Sequence, residues 1–170
     1  MFLRAESTAD GAIVTTGIEV VDVRAAGTYT LDATNMSGLV TVVHNAAGAA
    51  LTINGAAAGV GVTIKNQAST DATTLNFTAG SLVGTADTVA VSLSGNTGAH
   101  TLTINDASGE IDTLSISGSV ASTGVTTLAG DALDATKVVF TNTATVVTAG
   151  AITSATIDAS AATGGITTVL

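Results

Sequence analysis

Apolar and polar residues alternate along this chain in short bursts. From 39 to 67, LVTVVHNAAGAALTINGAAAGVGVTIKNQ, three runs centred on Val42, Ile53 and Ile64 close near Asn45, Asn54 and Asn66. They follow one another about eleven residues apart, joined by Ala and Gly. Alternation with period two in β-branched residues marks a strand with one buried face. Upstream, GIEVVDVRAAG sets Ile18, Val20 or Val21 and Val23 among Glu19, Asp22 and Arg24, and Tyr29 and Leu31 form the next run. Downstream come TTLNFT (Leu75, Phe77), DTVAVSLSGN (Val89, Val91, Leu93), HTLTIND (Leu102, Ile104) and IDTLSIS (Leu114, Ile116). VTTLAG (Val125, Leu128), KVVFTNTATV (Val138, Phe140), SATIDAS (Ile157) and GITTVL complete the series. No window carries a 3.6-residue apolar stripe behind a helix cap, so the chain reads as all-β. Residues 1–16 read as a polar lead-in, and 17–170 as one repeat domain.

Spacing narrows the architecture. Runs recur every eleven to fourteen residues over most of the chain, leaving about five to eight residues per connection. That is too short for crossover helices. Two layouts fit: an antiparallel β-sandwich of hairpins, or a parallel β-solenoid whose successive strands lie on different faces of each coil. A sandwich wants large inward side chains and tight turns. A solenoid wants small β-branched residues stacked on their own kind, glycines at bends and corner residues tolerant of positive φ. Asn45, Asn54, Asn66, Asn96, Asn105 and Asn142 each follow a run, which suits such corners and favours the solenoid.

Composition agrees. The 170 residues are 46% apolar but only 2% aromatic, with three Phe, one Tyr and no Trp, so the core must be thin and aliphatic. Disorder is excluded by a mean hydropathy of +0.57 with only 10% charged residues. Thirteen acids against four bases give a net charge of −9. Nucleic acid and anionic lipid need Lys and Arg, so neither fits as a partner, whereas metal cations do. Without Cys, stability must come from backbone pairing, packing or bound ions. No apolar run approaches the ~20 residues of a membrane helix, so membrane insertion is not expected. The N-terminal MFLRAESTADG has no apolar stretch long enough for a signal peptide.

Catalytic signatures are missing. His44 and His100 lie inside runs with neither a Cys nor an H-E-x-x-H partner, and each reads as a surface strand residue. There is no G-x-S-x-G elbow and no G-x-x-x-x-G-K-[ST] loop. A carbohydrate-active β-helix would need clustered Asp with Arg or Lys; Arg4, Arg24, Lys65 and Lys137 are few and scattered. Glu110 and Asp112 could form a glycosidase couple, but aromatic platforms for sugar rings are lacking. Ranks of Thr on a solenoid face could match ice. The pairs at Thr28/Thr30, Thr101/Thr103 and Thr141/Thr143/Thr145 do not recur at one repeat position, so Thr reads here as an ordinary strand residue.

GIEVVDV at 17–23, LDATNMSGLVTV at 31–42, GTADTVAVSLSG at 84–95, EIDTLSISG at 110–118 and IDASAATGGITTV at 157–169 carry a resemblance. They resemble the Thr/Ala/Gly-rich β-solenoid regions of bacterial surface-layer proteins and of type I-secreted adhesins related to the RTX group. The resemblance implies an extracellular, cell-surface, calcium-responsive lattice or adhesin segment. It also implies attachment to cell-surface glycan or lipopolysaccharide through another region. The calcium signature of that group is G-G-x-G-x-D-x-U-x; only Gly84-Thr-Ala-Asp87-Thr-Val89 approaches it, without the glycine pair or tandem copies. A looser calcium site could use the bend acids Asp32 and Asp158 and the Glu110/Asp112 pair, because carboxylates two apart in a strand share a face. The same acids could instead cap turns through Asx hydrogen bonds. The expected protein is thus a non-enzymatic, self-assembling surface-layer segment, with an adhesin stalk as the rival reading. The pattern runs on into Thr167-Thr168-Val169-Leu170, where a cap is expected and none is evident.

Overall fold

The structure, a computed structural model, describes all residues except 1, 6–12, 46–47, 69, 107–110, 119–123, 142–144, 155 and 170. Among the described residues the chain forms short strands and one 3-10 turn, Asp131–Leu133. The first strands are β1 (Phe2–Ala5), β2 (Thr15–Thr16), β3 (Val20–Val23), β4 (Tyr29–Asp32), β5 (Met36–Ser37) and β6 (Thr41–Asn45). Next come β7 (Leu51–Ala56), β8 (Gly61–Lys65), β9 (Asp71–Phe77), β10 (Thr88–Ser94), β11 (His100–Asn105) and β12 (Thr113–Gly118). The last are β13 (Val125–Gly130), β14 (Lys137–Phe140), β15 (Thr145–Ala151), β16 (Thr156–Asp158) and β17 (Ile166–Val169).

These strands stack as a parallel β-solenoid. One sheet has eight strands in the order β1-β3-β6-β8-β10-β12-β14-β16, the other seven in the order β17-β15-β13-β11-β9-β7-β4. From β6 onward consecutive strands alternate between the two sheets, so each of these coils contributes one strand to each and the eleven-residue sequence period is half a coil. β2 and β5 form a two-stranded parallel ladder at one side of the first coils. Every described pairing is parallel, which rules out the antiparallel sandwich. Parts of the expected lead-in belong to the ladders: Phe2–Ala5 pairs with β3, and Thr15–Thr16 with β5. A run as short as FLRA is long enough to add a rung although it shows no full period.

Register puts like on like. Val21, Val42, Val62, Val91, Ile116 and Phe140 form one buried column in the eight-stranded sheet. Leu31, Ile53, Leu75 and Ile104 form another in the seven-stranded sheet. Small residues let the coils close: Gly124 lies over Gly98 so closely that a Cβ there would collide with the Gly98 carbonyl. Two expected core positions differ. Val125 faces outward and Thr126 takes the inward place, because Val125 and Leu128, three residues apart, cannot share a face of one strand. Ile157, on the outermost strand of its sheet, is 36% exposed.

A coil touches only its neighbours, so deleting a buried rung should cost what a core deletion costs in any close-packed interior. Leu75→Ala should lower unfolding free energy by about 2–5 kcal/mol, whereas Thr63→Ala on the outer face should stay within about 0.5 kcal/mol. Denaturant titration followed by circular dichroism measures both.

Candidate functional site

Polar side chains inside and along the coils are the chemically distinctive part of the molecule. At the corner after the eight-stranded sheet, the Asn45 amide donates to Asp22 Oδ2 at 3.0 Å, and Asn66 donates to Asn45 Oδ1 at 3.3 Å. Asp22 is nearly sealed from solvent and also holds Arg24, whose Nε is 3.2 Å from Oδ1. One coil further, buried Asn96 donates to the Ile64 carbonyl and accepts from the Gln67 backbone N–H, both at 3.0 Å, while the Gln67 amide donates to the His44 carbonyl at 3.0 Å. These amides satisfy backbone groups that a corner removes from the sheet ladders. Among the described asparagines only Asn66 takes a positive φ, at 55°. The expected φ role of the asparagines is therefore confined to one residue; Asn45, Asn54 and Asn105 are strand residues that work through side-chain amides. Asn142 lies outside the described residues.

The histidines correct the sequence expectation. His44 is fully buried and His100 is 2% exposed. Their rings meet edge to face with centroids 5.6 Å apart. The hydroxyl of buried Thr73 bridges them, 2.7 Å from His44 Nδ1 and 2.8 Å from His100 Nε2. The hydroxyl has one proton and two lone pairs, so at most one of these two ring nitrogens accepts from it and the other donates to it. His44 Nε2 and His100 Nδ1 have no hydrogen-bond partner among the described residues. Parity foretold this burial: His44 alternates in phase with Val42, and His100 with Leu102 and Ile104.

Burial depresses both imidazoles. His44 lies below its ordinary value chiefly through desolvation, opposed by a backbone contact at Ala49 and by Asp71. His100 is pushed down to about 4, by desolvation first and the His44 ring second, with Asp71 opposing. The pair is a neutral structural element at pH 7.

Of the five candidate metal ligands, the four among the described residues do not all come together. Asp32 ends β4 and is held below its usual range by Thr34, whose backbone N–H donates at 3.0 Å. Asp158 ends β16 in the other sheet and is lowered by Ser160, which donates its hydroxyl at 2.7 Å and its N–H at 3.1 Å. Both carboxylates act as Asx turn caps. Asp87 and Asp112 do adjoin in successive coils: Asp112 Oδ2 accepts from the Asp87 N–H at 2.9 Å, and Asp87 Oδ2 is buried without a partner among the described residues. Glu110 lies outside the described residues. A calcium ion takes six to eight oxygens. Among the described residues no three His, Asp or Glu side chains converge, so the residues in view do not by themselves build a calcium cage.

A groove of about 730 Å³ runs beside the β2–β5 ladder, lined by Val14, Met36, Leu39, Asn35, Thr78 and Ser81 among others. No lining side chain ionises, so the groove offers no acid–base pair. Neither it nor a smaller hollow of about 140 Å³ over the eight-stranded sheet includes a histidine ring. Comparison with protein-family models, curated proteins and solved structures finds no match. The fold and the residue chemistry carry the functional argument.

Because the folded imidazoles bind protons less readily than unfolded ones, the unfolded state takes up protons first as pH falls. Stability should therefore be full above about pH 6.5 and decline towards pH 4, at about 1.4 kcal/mol for each unit of pKa depression. The double variant His44→Leu/His100→Leu should show a flatter slope of melting temperature against pH in that window, whatever its absolute stability.

Proposed function

We propose that this chain is a structural, non-enzymatic, self-assembling module of a bacterial cell surface, a segment of a surface-layer lattice. The observation that carries this reading is the unbroken succession of parallel pairings through both sheets. Each coil buries its apolar side only against the next, and like aliphatics continue from coil to coil. Such an object is a stiff rod by construction, since its stability is the sum of neighbour interfaces. Parallel ladders also propagate. The outermost strands β16 and β17 present a ladder edge to which a further coil, from the same or another polypeptide, can be added.

The acidic balance and the resemblance of 84–95, 110–118 and 157–169 to surface-layer and RTX-type solenoids support an extracellular setting with calcium as a stabilising ion. Asp87, with a carboxylate oxygen that has no partner among the described residues and with Asp112 beside it, is the best-placed of the four described candidate ligands. An adhesin stalk would use the same rod without lateral assembly, and solution behaviour separates the two.

Purified protein should form ordered sheets or filaments by electron microscopy when calcium is added and disperse with a chelator. Its melting temperature should rise with the logarithm of free calcium above the dissociation constant, and Asp87→Asn should blunt that rise. A monomer indifferent to calcium would refute the lattice reading, and a flat thermal response would remove calcium.

A further inference from the structure

Coil-to-coil register arranges the outer face of the seven-stranded sheet in rows. Thr30, Thr52, Thr74 and Thr103 stand in one column, continued by Ala129. Ala72, Thr101 and Thr127 stand in the next. Along the far border run Asn54, Asn76 and Asn105, whose amides are tied to one another at 2.7 and 2.8 Å. Across strands β7, β9, β11 and β13 this face carries no ionisable side chain, although the chain as a whole has a net charge of −9; at its β4 end the Asn border passes into Asp32, the register partner of Asn54. On the opposite sheet Lys65, Lys137 and Asp158 lie among the outer residues.

We propose that this threonine and asparagine face binds the surface of ice. A charged group holds its own hydration shell and would disorder a lattice of water, and the four strands β7, β9, β11 and β13 keep such groups off this face. Threonines repeat down the first column from Thr30 to Thr103, and in the second from Thr101 to Thr127, at the strand spacing of about 4.8 Å. Two oxygens bonded to one tetrahedral water at about 2.75 Å are about 4.5 Å apart, so a single water can bridge each pair of stacked hydroxyls with little distortion. The threonines are β-branched and stiff at χ1, and the amide ladder fixes the border, so little side-chain freedom is lost on contact. Side-chain ladders of this kind also resist the twist of a free sheet. A sugar polymer fits less well, since no aromatic ring lies on this face among the described residues. A second copy fits less well too, because homodimer interfaces have an apolar centre, and here the centre is hydroxyl.

The inference is independent of the lattice reading and is tested separately. Fluorescently labelled protein is presented to a slowly growing ice hemisphere, and ice recrystallisation is scored alongside. The wild-type chain should be taken up into the ice and slow recrystallisation. Thr74→Lys/Thr103→Lys should reduce uptake by about tenfold or more, equivalent to about 1.4 kcal/mol. Thr63→Lys/Ser92→Lys on the other sheet should leave uptake unchanged, with circular dichroism confirming that both variants fold. Exclusion of the wild type from ice overturns the proposal. So does equal loss in both variants, or retention on cellulose or chitin without uptake into ice.

Discussion

Register between neighbouring coils is the constraint on which the molecule depends. A single strand pair made of Val, Ile and Thr cannot bury enough surface to hold its backbone in place. Repeating it so that Val covers Val and Leu covers Ile makes each coil the solvent shield of the next. A slip of one residue would turn every aliphatic outward and every threonine inward, so the alternation selects one register as it selects the fold. Once register is set, the side-chain ladders follow: Asn76 can reach Asn54 only because Leu75 covers Ile53.

The thin interior also explains how it tolerates polar groups. Among the described residues the core holds two Phe and one Tyr and is otherwise filled mainly by aliphatics. The His44–Thr73–His100 bridge fills volume that bulky rings would take elsewhere, and it does so as neutral imidazoles sharing one hydroxyl. The corners are likewise lined by amides instead of water, and Asn96 serves a donor and an acceptor of the backbone at once.

Much of the architecture was legible in the chain. Strand existence and inward parity followed from period two, and connection lengths excluded helical crossovers, leaving the choice between sandwich and solenoid to the size of the side chains. What stayed hidden has particular causes. Residue type points His44 and His100 outward, whereas their phase with Val42 and Leu102 places them inside. Val125 was paired with Leu128 against parity. The threonine column is hidden in one dimension because Thr30, Thr52, Thr74 and Thr103 follow one another at unequal steps and form no Thr-x-Thr motif common to every coil. Asp32 and Asp158 look like ligands and turn caps equally well in one dimension; the Thr34 and Ser160 contacts show them capping turns.

Those unequal steps have a consequence of their own. From one register partner to the next, the coil grows from 18 residues between Phe2 and Val20 to 29 between Val62 and Val91. Both sheets pass the longest coil in parallel pairing, and the surplus is gathered largely in 78–87, between β9 and β10, where Val83 projects at 67% exposure. The corner is thus a natural graft point: foreign peptide inserted there would be displayed at the side of the rod, with the ladders above and below continuing past it.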